Sequence, residues 1–138
     1  MTIWTKSRVN SYIMTLLDKY EERTIVNKSF IQYKDWTPLA KMCRHNVAEC
    51  CELYPTYSPI HGWLCIEDFN DKNNVIFVSH SVVRRPSGAL RDITPTICTA
   101  EYSFLNSYLN EYEYMDLINH GYTKLSTKNL CSQLSIDE

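Results

Sequence analysis

Residues 74–95, NVIFVSHSVVRRPSGALRDITP, constrain this chain more than any other stretch. Val75, Ile76, Phe77 and Val78, then Val82 and Val83, are strong strand formers. Arg85-Pro86-Ser87-Gly88 is turn chemistry, and Ala89 to Thr94 is the expected return strand. A turn about Pro86 leaves His80 and Asp92 each six residues from that proline. Residues directly opposite in an antiparallel pair share a face, with Cβ atoms roughly 4.5–5.5 Å apart. Asp92 is therefore expected to hold one imidazole nitrogen of His80 and fix its tautomer. Because the side-chain period is two, a register slip of one residue would separate them.

A histidine oriented in this way needs a group to act on. The candidate upstream is Cys43, in Lys41-Met42-Cys43-Arg44-His45-Asn46-Val47. The order cysteine, histidine, carboxylate is that of a thiol nucleophile, its base and an orienting group. A thiolate is the reactive species, and a helix N-terminus and a neighbouring imidazolium both favour it. Asn46, one turn after Cys43, could offer its amide to an oxyanion. Trp63, at the start of a strand, could wall a cleft. Both also have plainer readings, as a polar helix residue and as core. His80 and Asp92 likewise fit a structural role, with Asp92 capping the turn or pairing with Arg84 or Arg91.

At these residues the chain resembles the papain-like, NlpC/P60-like group of cysteine hydrolases and transferases. That group carries a cysteine at the start of a helix, a histidine on a sheet strand and a polar third residue on the adjacent strand. Cys43, His80 and Asp92 match those places in order. The stretch CRHNV…HGWL…VSHSVV…SGALRDITP also looks like small microbial and phage proteins. The resemblance is one of arrangement over residues 41–95. It implies a thiol hydrolase or acyl/amide transferase acting on a peptide, protein or small amide or ester, without a cofactor. The competing reading is a non-catalytic, phage-type inhibitor or binding protein. Ten tyrosines suit such an interface.

The rest of the composition sets limits. With 138 residues, the chain can bury a core as one domain. A net charge of −2 carries no signature of nucleic-acid or anionic-membrane binding. The cysteines, Cys43, Cys50, Cys51, Cys65, Cys98 and Cys131, form no C-x-x-C pair and no zinc-finger spacing. A metal held by Cys43 and His45 is disfavoured, because residues two apart on a helix point about 200° apart. The N-terminus MTIWTKSRVN lacks a long apolar run, and nowhere do roughly 18 apolar residues follow one another. The expectation is a cytoplasmic protein with no membrane partner.

Val9, Tyr12, Ile13, Leu16, Leu17 and Tyr20 predict an amphipathic helix over 6–22. Thr37-Pro38 is a helix-start pair, predicting a second helix from there to about Tyr54. Residues 61–68 are a predicted strand, and with the hairpin they make a three-stranded meander. Residues 100–109 fit strand or helix, and Tyr112 to His120 predict a short helix ended by Gly121. The whole is an α+β domain over 1–123. It has two N-terminal helices on a three-to-four-stranded antiparallel sheet, a short C-terminal helix, and a loose polar tail over 124–138.

Overall fold

A computed structural model describes residues 2–28, 36–39, 41–68, 70, 74–95 and 102–128. The fold is α+β. Helix α1 spans Lys6–Asp18 and strand β1 Thr24–Lys28; helix α2 spans Cys43–Leu53. Strands β2 and β3 cover Ser58–Glu67 and Val75–Arg84, followed by β4, Leu90–Asp92, and β5, Tyr102–Asn106. Helix α3, Glu111–Asn119, and strand β6, Lys124–Ser126, complete the order.

The strands pair in the order β2-β5-β1-β4-β3-β6, and β2 also pairs with β3. Five strands therefore close into a ring, and β6 adds to β3 outside it. Among the described residues all strand pairings are antiparallel except β1 with β4. The expectation of three or four strands fell short. The short strands β1 and β6 carry little pattern of their own and acquire strand geometry only from their partners.

Alternation along the strands separates two faces. Val26, Val82 and Phe104 meet inside the ring, with Ile60, Leu64, Leu90 and Tyr102 packed against them. On the outer face Trp63, Phe77 and Leu105 pack with Tyr12 and Leu16 of α1 and with Tyr114 and Leu117 of α3. A smaller outer cluster joins Val47 and Cys50 of α2 to Val83 and Ile93.

The local signals explain the helix ends. Thr5 caps α1 by accepting from the Arg8 N–H, and Val9, Tyr12, Ile13 and Leu16 are its buried stripe. The predicted span ran to 22, but Tyr20–Glu22 tighten into a 3₁₀ turn. Helix α3 opens with a reciprocal capping box between Asn110 and Glu113, and Gly121 follows it with φ +93°.

Helix α2 does not begin at Thr37-Pro38. Lys41 lies at φ +63°, which a helix cannot pass through, and Cys43 is the first helical residue. The predicted tail also needs correcting at its start. Lys124–Ser126 pair with Ile76, Phe77 and Val78 of β3. Buried Asn74 holds this addition: its Oδ1 accepts from the Ser126 and Thr127 hydroxyls and the Lys128 N–H. Cys98, Cys131 and most of the turn expected over 69–74 lie outside the described residues.

Candidate active site

Strand β3 carries β2 along one full edge, but its other edge is shared. β6 occupies Ile76–Val78 and β4 occupies Val83 and Arg84. Between them the Ser79 N–H donates to the Thr123 carbonyl at 2.8 Å. Odd-numbered residues thus point their N–H groups toward this edge, and Ser81 is the next. The N-terminus of α2 lies at this gap, with Cys43 half-buried and accepting from the backbone N–H groups of Ser81 and Arg44.

His80 meets the same sulfur from the side. Its Nε2 lies 2.8 Å from Asp92 Oδ2 and 3.3 Å from the Tyr102 hydroxyl. His80 also hydrogen-bonds Cys43. Nε2 is thus shared by Asp92 and Tyr102. Asp92 is 0% exposed, and its second oxygen accepts from the Thr94 N–H at 3.0 Å. A buried carboxylate with both oxygens engaged is a fixed acceptor.

The register differs in an instructive way from the expected one. Val83 pairs with Arg91 and Arg84 with Leu90, which centres the turn on Ser87, one residue later than Pro86. Gly88, at φ +92°, takes the left-handed position, and the Arg85 N–H donates to the Ala89 carbonyl. Moving the centre by one shifts partners by two, so Asp92 lies diagonal to His80 and not opposite it. A shift of two preserves the face, and a histidine reaches a diagonal neighbour.

Electrostatics follow from these contacts. Burial alone would raise the Cys43 pKa. The hydrogen bond and charge of His80, with the Ser81 and Arg44 N–H groups, outweigh it and hold the thiol below its ordinary value. Burial would depress the His80 pKa, but Asp92 and Cys43 raise it to about 9. Both directions favour a thiolate beside an imidazolium. Cys50 and Cys65 are pushed the other way, to about 11, by burial.

Two secondary candidates are placed elsewhere. Asn46 is 1% exposed, and its amide nitrogen donates to the Leu39 carbonyl and to Thr94 Oγ1, at 2.7 and 3.1 Å. Its Oδ1 accepts from the Leu39 N–H. Both amide hydrogens are used, so Asn46 is not a donor for an oxyanion; it ties the segment before α2 to the Asp92 strand. Trp63 is 0% exposed, and its Nε1 donates to the Tyr12 hydroxyl inside the outer core. It walls no cleft.

Sequence reasoning does not reach Tyr102, because residues 100–109 fit strand or helix equally. As a strand, Tyr102 and Phe104 alternate onto the inward face, which is the signal that would have found it. A cleft of about 600 Å³ opens beside Cys43, bounded by the first turn of α2 and by Met115 and Ile118 of α3. Among the described residues no group of three or more His, Cys, Asp or Glu side chains could hold a metal ion. No helix among them is long and apolar enough to cross a membrane. Comparison of the chain with protein-family models, curated proteins and solved structures returned no match.

Proposed function

We propose that this protein is a cysteine-dependent hydrolase or acyl transferase of papain-like logic. Cys43 is the nucleophile, His80 the acid and base, and Asp92 the group that orients His80. The observation that carries this reading is the convergence of three separated elements. A thiol at the first residue of a helix meets a histidine whose Nε2 is held at 2.8 Å by a fully buried carboxylate.

In this reading the Cys43 thiolate attacks a carbonyl carbon of an amide, ester or thioester. The S–C bond forms and the carbonyl becomes an oxyanion. The first-turn N–H groups of a helix have no intrahelical partner, and Met42 gives α2 no side-chain cap; apart from that of Arg44, which is turned to the sulfur, they are the donors on offer to the developing oxyanion. Collapse breaks the bond to the leaving group, which takes the proton from the His80 imidazolium. Neutral His80 then takes a proton from water or from an acceptor nucleophile. That nucleophile attacks the thioester, the C–S bond breaks, and thiolate and imidazolium are restored.

Competitive alkylation tests the reading. With iodoacetamide near neutral pH, followed by mass spectrometry, Cys43 should be labelled first among the six cysteines. Cys65 labelled while Cys43 stays intact in the folded protein would make Cys43 a packing residue and end the proposal.

A further inference from the structure

We propose that the cleft beside Cys43 selects a substrate bearing a carboxylate on a short aliphatic stem, with Arg44 as the principal group that binds it. This rests on the reading of Cys43 as nucleophile and adds the substrate class. The cleft wall holds two fixed cations, Lys41 and Arg44, and no Asp or Glu lines it among the described residues. The third basic group, His45, pairs with Glu49. The Arg44 guanidinium meets the Met115 thioether at 3.6 Å, a soft contact that satisfies one N–H and leaves its charge uncompensated there.

Ser79 and Thr123 add two neutral polar groups, and the rest of the lining is apolar. Met42, Met115 and Ile118 line the same space, and Met42 is exposed at 44%. A carboxylate with a methylene stem fits both parts: the stem lies on methionine and isoleucine, and the head meets a planar guanidinium suited to bidentate pairing. Arg44 is the residue immediately after the nucleophile, and its backbone N–H already faces the sulfur. A substrate carboxylate bound by its side chain would therefore set the carbonyl within reach of Cys43.

The test uses two alkylating reagents that differ in one group. Iodoacetate presents a carboxylate and iodoacetamide a neutral amide; each forms the S–C bond and releases iodide. The ratio of their rates at Cys43 is measured in the wild type, Arg44→Gln, Arg44→Glu and Lys41→Gln. The His80 imidazolium also attracts iodoacetate, but it is common to all four proteins, so the variants isolate the cleft cations. Using a ratio cancels changes in thiol pKa.

The expected result is a fall of about threefold or more in the iodoacetate preference for Arg44→Gln, with a larger fall for Arg44→Glu. Lys41→Gln should give a smaller effect. The wild-type preference should weaken at high ionic strength. A ratio unchanged by both Arg44 substitutions, with Cys43 still the fastest cysteine toward iodoacetamide, overturns the substrate assignment and spares the nucleophile. Cys43 inert toward both reagents overturns the two together.

Discussion

Cys43 and His80 each bias the other's proton. A thiolate is favoured because an imidazolium and two backbone N–H groups face it, and the imidazolium is favoured because Asp92 and the thiolate face it. The sign of the pH dependence follows. Below the Cys43 titration the sulfur is a thiol and a poor nucleophile; above about 9, His80 has lost the proton the leaving group needs. Turnover should rise with pH through the depressed thiol pKa and fall through about 9. Asp92→Asn removes a charge that holds the His80 proton, so it should lower the falling limb and raise the Cys43 pKa. Ultraviolet thiolate absorbance against pH reads that shift directly; an unchanged curve in Asp92→Asn would remove Asp92 from the site. Cys43→Ser, His80→Ala and Asp92→Asn should each strongly reduce turnover, and combining them should add little, because groups acting as a unit fail together. Cys43→Ser should leave the thermal midpoint near that of the wild type, since it nearly conserves volume. Well-folded variants that keep the full biological effect would favour a protein that acts by binding.

At the scale of elements, the reactivity proposed for Cys43 depends on where α2 begins. Thr37-Pro38 is sound helix-start chemistry, but it is a purely local signal. The positive φ of Lys41 and the clasp of Leu39 by Asn46 move the start to Cys43, where the N-terminal N–H groups and the dipole act on the sulfur. Nothing in residues 37–42 alone announces this, because Asn46 holds that segment from inside the helix and also reaches Thr94. Asn46→Ala removes the three hydrogen bonds that this buried amide makes to Leu39 and Thr94 and should cost about 1–3 kcal/mol. It should also slow Cys43 alkylation, which loss of packing elsewhere would not do. Equal alkylation rates would show that the helix start is fixed by other contacts. The hairpin gives the opposite lesson. The turn residues and the period of two sufficed to place His80 and Asp92 on one face, although the centre of the turn was off by one residue.

Across the whole molecule the closed ring makes the site possible. Gly62 pairs with His80 on one side and Asn106 on the other. A Cβ there would stand 2.2 Å from the Leu105 carbonyl oxygen and 2.7 Å from the Phe104 ring. Gly62→Ala must push β5 from β2, and backbone cannot yield as a flexible side-chain tip would. It should cost about 3 kcal/mol or more in denaturant unfolding, and it should disturb Tyr102, on the same strand as Phe104, and through it His80. A near-neutral Gly62→Ala would mean that β5 can retreat freely.

The sequence by itself determined the α+β class, the β2–β3–β4 meander, the buried stripe of α1 and the shared face of His80 and Asp92. These depend on periodicity and turn chemistry over short spans, which neighbouring residues encode. Only the tertiary structure decided the ring closure, the β1–β4 parallel pair, the addition of β6, the true start of α2 and the place of Tyr102 against His80. Each of these depends on contacts between distant segments. Their partners are chosen by packing and hydrogen-bond satisfaction across the whole fold, and no local pattern carries that choice.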